Sequence, residues 1–270
     1  SLEVREQTLL TPLKIAQRTT FLEWDSQPRL FKQYPHFCYR ISLHDIPDLS
    51  WVSHIRCITS MRTVAKKPYY QLNVPSAGNL HPLEIYLQIR NVAGVLCGIY
   101  HLDVLSEQLV LIQEIESDGV ESYIGMQNRF NGIIVMISLV PFRSSWKYGL
   151  RAWRYCYLDL GHQIGALNTT ARHYGLNMTK MSHIDVQSLN RMMGLGEDEF
   201  VASIYTIGES GPREAKALKH PLMVVQATDY TIKEDELLQS IHGTSTYSKN
   251  NIALEWDEYV KINRTRRIAR

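Results

Sequence analysis

The chain has 270 residues, a formal net charge of +2, a hydrophobic fraction of 44% and a charged fraction of 21%. That length allows one large domain or two small ones and can bury a core without staples. The hydrophobic fraction excludes a disordered chain, and the balanced charge argues against a nucleic-acid binder. No apolar run approaches the roughly 20 residues needed to span a bilayer, which argues against a membrane protein. No secretory signal opens the sequence. Cys38, Cys57, Cys97 and Cys156 show neither C-x-x-C nor metal-ligand spacing. Reduced cysteines, a cytoplasmic location and no zinc site are therefore expected.

In chain order, residues 1–50 mix aromatics with Pro28, Pro35 and Pro47, and Trp24 to Phe31 reads as an extended lead-in. Trp51, Ile55, Ile58, Met61 and Val64 recur at roughly helical spacing, so a helix is expected over 51–67. Arg56, Arg62, Lys66 and Lys67 make it basic, and Pro68 closes it. Residues 75–82 are a loop by composition. Strands follow at 84–90, then as a hairpin from 98–103 to 108–112. Residues 132–139, apolar with hardly any alternation, predict a central strand covered on both faces. From Trp153 to Ala171 the apolar period becomes helical, and Gly175 is a plausible stop. A short helix over 186–195 and a last strand over 200–207, ended by Gly208, complete an α+β or α/β core. Residues 209–251 are polar and poorly periodic, and Lys261 to Arg270 carries five basic residues and no acid, the composition of a solvated tail.

Phosphate-loop, dinucleotide, zinc-protease and serine-hydrolase motifs are absent. Three constellations remain. In the loop, small residues at Ser76, Ala77 and Gly78 let backbone N–H groups approach a ligand, and Ser76 and Asn79 offer donors. Lys147 and Tyr148 are neighbours just before the long helix, and both can face one ligand only near a helix start or in a loop. Ser144 or Ser145 as N-cap would supply that start. Such a pair at a pocket could relay a proton, although a surface lysine beside a packing tyrosine has the same spacing. Asp159 and His162 are helical neighbours that could pair, fixing the imidazole tautomer.

The order and spacing of Pro75-Ser76-Ala77-Gly78-Asn79-Leu80-His81-Pro82-Leu83-Glu84, then Gly98-Ile99-Tyr100-His101, then Ser145-Trp146-Lys147-Tyr148-Gly149, with Arg154-Tyr155-Cys156 and Asp159-Leu160-Gly161-His162 following, resembles the SagB-type dehydrogenases, a branch of the FMN-dependent nitroreductase superfamily. The likeness covers about residues 20–208 and is greatest to the first half of tandem members, which carry two such modules in one chain.

The resemblance implies an α+β nitroreductase-like fold: a mostly antiparallel central sheet flanked by helices, with a long buried helix. It implies an FMN-binding domain over 1–208 and a linker-like C-terminal extension over 209–270. FMN would contact Pro75, Ser76, Ala77, Gly78, Asn79 and His81, with Ser182 after the long helix and Arg62 at the phosphate. Lys147 and Tyr148 would be catalytic, moving a proton while hydride passes to the flavin. The implied activity is an FMN-dependent oxidation of a peptide-derived azoline or related small substrate, in a homodimer or paired with a second module. No Arg-Arg-Ser motif opens the chain, and Lys180-Met181-Ser182-His183 stands where many members have a Gly-Gly loop. These departures motivate an alternative, a flavin-free module acting as a dimerising scaffold or partner-binding protein.

Overall fold

The computed structural model describes residues 8–16, 26–64, 67–195 and 198–227, together with Glu6 and Leu22, within one compact unit. Its elements are α1 (Pro12–Ala16), β1 (Arg40–Ser42), α2 (Val52–Ile55), β2 (Ile58–Val64), β3 (Lys67–Leu72), β4 (Leu83–Arg90), β5 (Gly98–Asp103), β6 (Gln108–Glu114), β7 (Asp118–Gly119) and β8 (Asn128–Leu139). Helices α3 (Phe142–Tyr148) and α4 (Ala152–His173) follow, then β9 (Met178–Lys180), α5 (Val186–Met192), β10 (Phe200–Glu214) and β11 (Lys216–Ala217).

Seven strands form the central sheet in the order β1-β6-β5-β4-β8-β10-β9, and every neighbouring pair is antiparallel. The α+β class and the antiparallel sheet expected from the sequence are observed. All eight residues of β4 are buried, Leu83, Ile85, Leu87 and Ile89 alternating with Glu84, Tyr86, Gln88 and Arg90, whereas β8 reads as an apolar run from Ile133 on. Tyr86, Ile134, Met136 and Ile204 share one core cluster with Leu189, Leu218 and Leu222. Helix α4 packs against β4 and β8 and buries Trp153, Cys156, Leu160, Gln163, Leu167 and Ala171 at helical spacing. It stops where expected: Gly175 has φ +65°, and the Leu176 N–H returns to the Ala171 carbonyl.

Three local expectations are corrected. The helix over 51–67 is a single turn, α2, followed by the antiparallel hairpin β2–β3. Met61 and Val64 are 68% and 53% exposed, so the apparent apolar face has nothing to bury against. Ile58, Thr59, Thr63 and Val64 are β-branched and favour extended backbone. The strand expected to end at Gly208 runs on to Glu214. Gly208 (φ +133°) pairs with Gly132 (φ +117°), and a Cβ at either position would collide with the opposite backbone. The glycines permit close pairing across the two strands rather than ending one.

Finally, the start of the expected tail is folded. β11 pairs with β7, and Leu218, Leu222 and Ala227 are buried. The basic cluster Lys261 to Arg270 lies outside the described residues, as do Trp24 and Lys66.

Candidate functional site

The loop of residues 75–82 joins the exposed hairpin to the central strand β4. Its turn at Ala77–Asn79 places Gly78 at φ +67° and Asn79 at +60°, and His81 follows at +47°. Left-handed backbone costs a non-glycine residue about 1–2 kcal/mol, so the surroundings must hold it. Asp159 of α4 does so. The Ser76 hydroxyl donates to Asp159 Oδ2 at 2.6 Å and accepts from the His81 N–H at 2.9 Å, and the Ala77 N–H donates to Oδ1 at 3.1 Å. Burial pushes the Asp159 carboxyl up despite these donors. The hydrogen bonds of Asp159 thus go to the loop, and His162, exposed on the same helix, acts on it through charge.

Lys147 and Tyr148 lie at the C-terminal end of α3, which Gly149 (φ +53°) terminates. Neither Ser144 nor Ser145 is the N-cap: Pro141 occupies that position, and Ser144 is buried inside the helix. The pair meets the loop across Gly78. A Cβ there would collide with the Tyr148 hydroxyl and stand 3.3 Å from Lys147 Nζ. The Tyr148 ring packs on Tyr155 at 4.6 Å between centroids. Burial, then Tyr155 and Asp159, push the Tyr148 phenol up, so it keeps its proton at neutral pH and acts as a donor.

Behind the loop stands Arg56, 3% exposed. Its Nη1 donates to Gln163 Oε1 at 3.0 Å, and Gln163 Nε2 donates to the Ile55 carbonyl at 2.6 Å. Burial lowers the Arg56 guanidinium to about 10. Arg56 Nε and Nη2, Asn79 Nδ2 and His81 Nδ1 are buried without a hydrogen-bond partner. The imidazole of His81 stacks on Phe31 at 5.7 Å, and its Nε2 lies 3.2 Å from the Tyr70 carbonyl. Burial, then Arg56, lower His81 to about 3, so it is neutral. Its Nε2 therefore carries the hydrogen toward the carbonyl, leaving Nδ1 as an acceptor.

The structure brings Ser76, Ala77, Gly78, Asn79 and His81 together with Lys147 and Tyr148, and Pro75 opens the loop as an exposed residue. Two others stand elsewhere. Arg62 is exposed on β2, with its Nη2 on Gln71 Oε1 at 3.0 Å. Ser182 is exposed beyond the edge strand β9, with its hydroxyl 3.1 Å from His183 Nδ1. Sequence reasoning missed the anchoring role of Asp159. It also missed Arg143, one helical turn before Lys147, whose Nη1 donates to the His81 carbonyl at 3.1 Å. The signals were an acid inside the α4 motif and an arginine in helical phase with Lys147. No group of potential metal ligands occurs among the described residues.

An antiparallel seven-stranded sheet over one long helix, with a glycine loop clamped against a Lys–Tyr pair, is an α+β protein of nitroreductase-like fold. The nitroreductase family model matches residues 47–209, more than half of the sequence, and the chain belongs to that family.

The crystal structure of a candidate nitroreductase from Anabaena variabilis superimposes with a TM-score of 0.72 at 21% identity, over 93% of this chain and 55% of that one. The E. coli microcin synthetase McbBCD complex, solved with truncated pro-MccB17 bound, contains a chain with a TM-score of 0.50 at 13% identity, over 77% of this chain and 86% of that one. Both show the fold. A candidate nitroreductase of Methanocaldococcus jannaschii is 33% identical over 106 residues, 38% of this chain and 54% of that protein. The match thus spans about half the length of the Anabaena and Methanocaldococcus proteins.

Proposed function

We propose that the chain is an FMN-dependent oxidoreductase module of the SagB type, which removes a hydride and a proton from its substrate. The observation that carries this reading is the meeting of Gly78 with Lys147 and Tyr148. Loop backbone, a lysine amino group and a phenol meet so closely that a methyl group on Gly78 would collide with the phenol. The residues present fit a flavin. The loop is left-handed at Gly78 and Asn79, and the buried Asn79 Nδ2 and Arg56 Nε and Nη2 offer donors without partners. When bound, FMN supplies the two-electron acceptor.

This chain's own groups do the rest. Asp159 holds Ser76 and Ala77, so that the loop keeps its shape. Tyr148, kept protonated, donates a hydrogen bond to the substrate atom that becomes more basic. Lys147 Nζ takes the proton. The substrate class is a peptide-derived azoline or a related small molecule, and the site is completed by a second module, most simply a second copy of the chain. The protein works in the cytoplasm.

The test is turnover of a thiazoline-containing peptide by FMN-loaded protein. Lys147→Ala is expected to lower kcat by about 10²–10⁴-fold with flavin content unchanged, and Tyr148→Phe to lower it less. Undiminished turnover in Lys147→Ala would remove the assigned role. Failure to retain FMN even after reconstitution would favour the dimerising scaffold.

A further inference from the structure

Tyr148 also forms part of a pocket of about 250 Å³ at the N-terminal segment, walled by Leu9, Leu10 and Leu150 and by the cations Lys14 and Arg151. Among the described residues that line it, none is acidic. The walls are tied together. Arg151 Nη1 donates to the Thr8 carbonyl, Arg154 Nε donates to Thr8 Oγ1 at 2.7 Å, and Thr8 is only 3% exposed. Arg151 Nε donates to the Tyr155 hydroxyl at 2.8 Å, and Lys14 Nζ to the Glu6 carbonyl at 2.9 Å. The hydrogen bonds of Arg151 thus go to neutral oxygens, which orient the guanidinium without cancelling its charge. Tyr148 adds a phenolic proton at the same wall. A cleft of this size lies just below the usual range of ligand sites, so what it holds is compact.

We propose that this pocket binds a small carboxylate with a compact apolar remainder. The carboxylate lies between Arg151, Lys14 and the Tyr148 hydroxyl, and the remainder lies on the three leucines. An anion here gains charge-assisted hydrogen bonds that an amide of the same shape lacks. The leucines favour a branched alkyl group over a polar one. The proposal shares the Tyr148 hydroxyl with the proposed function but does not rest on the flavin, and binding of the acid to the chain without FMN reads it out separately.

The test is a chemical-shift titration of the full chain with 4-methylpentanoate and, separately, with 4-methylpentanamide, at one pH and near-physiological salt. Shifts are expected at Leu9, Leu10, Leu150 and Arg151, with the acid binding about tenfold more tightly than the amide, a difference of about 1.4 kcal/mol. Arg151→Gln is expected to abolish that preference. Because Arg151 also secures Thr8, Lys14→Gln on the exposed α1 is the second variant. It is expected to weaken the acid about threefold and leave the amide unchanged. Equal affinity for acid and amide, shifts mapping elsewhere, or a preference that survives both substitutions would each overturn the proposal.

Discussion

Two polar clusters flank Pro82, and they are built on opposite rules. On the β4 side, four buried charges balance: Lys32 and Arg143 against Glu84 and Glu199. Lys32 Nζ meets Glu199 Oε2 at 2.8 Å, and the Tyr86 and Ser138 hydroxyls donate to Glu199 Oε1 at 2.8 and 2.6 Å. Glu84 accepts from Arg143 Nη2 at 2.5 Å and from the Lys32 N–H at 2.7 Å, and its Oε2 lies 2.9 Å from His101 Nε2. Burial works to raise the Glu84 carboxyl, but Arg143 and His101 outweigh it and hold it well below the usual carboxylate range. On the loop side, Arg56 hydrogen-bonds only to the neutral Gln163 side chain, with Glu84 and Asp159 acting on it through charge alone, and donors of Arg56 and Asn79 are left over. A cluster whose carboxylates are all engaged fixes the fold. Arg143 Nε and His101 Nδ1 are left over in the balanced cluster as well, but only on the loop side do the leftover donors stand beside a glycine loop whose Arg56 has no carboxylate hydrogen-bonded to it, and that is where we place a ligand.

Breaking the balanced cluster has the largest effect expected. Arg143→Ala strands the Glu84 carboxylate in the interior and loses the clamp on the His81 carbonyl. A loss of about 3–5 kcal/mol in urea unfolding is expected. A loss under about 1 kcal/mol would mean that the cluster does not hold the fold.

Acid comes next. His81 is depressed to about 3, whereas the unfolded chain takes up a proton near 6.5. Between those values the unfolded state binds more protons, so the stability that His81 contributes is fully present above pH 6.5 and is lost as pH falls toward 3. The slope is at most about 1.4 kcal/mol per pH unit. Glu84 acts in the same sense below about pH 4.5. Unfolding measured across pH 4–7 should show a steeper decline in the parent than in His81→Gln, and identical slopes would contradict the assignment.

The smallest change in stability, with the sharper functional contrast, comes from the loop. Gly78→Ala places a methyl group at φ +67° against the Tyr148 hydroxyl. Its backbone strain alone amounts to about 1–2 kcal/mol. Flavin retention should fall at least about tenfold in Gly78→Ala. Arg62→Ala, on the exposed hairpin, should alter stability by no more than about 0.5 kcal/mol and change retention least. If Arg62→Ala released flavin and Gly78→Ala did not, the site would have to be moved to the hairpin.

What could be read from the sequence was local. The β5–β6 hairpin, the apolar run of β8 and the α4 face each carry their period within one segment, and the loop and the Lys147–Tyr148 pair each lie within one short motif. The β2–β3 hairpin was hidden because Ile55, Ile58, Met61 and Val64 happen to repeat every three residues. The anchoring of Ser76 by Asp159 spans 83 positions, and that of Lys32 by Glu199 spans 167. Neither leaves a trace in local periodicity. An acid three residues from a histidine suggested His162 as the partner of Asp159; His162 acts on it through charge, but the carboxylate's hydrogen bonds go to Ser76 and Ala77, because burial selects donors by tertiary position.

The central claim is that the loop and the Lys–Tyr pair hold a flavin. The most direct measurement is the visible absorbance spectrum of the purified full chain after incubation with FMN and removal of the free cofactor, with mass analysis of what denaturation releases. A retained flavin spectrum, FMN as the released species and loss of both in Gly78→Ala are expected. A colourless protein that releases no flavin would contradict the account and leave the orphaned donors of Arg56 and Asn79 to some other ligand.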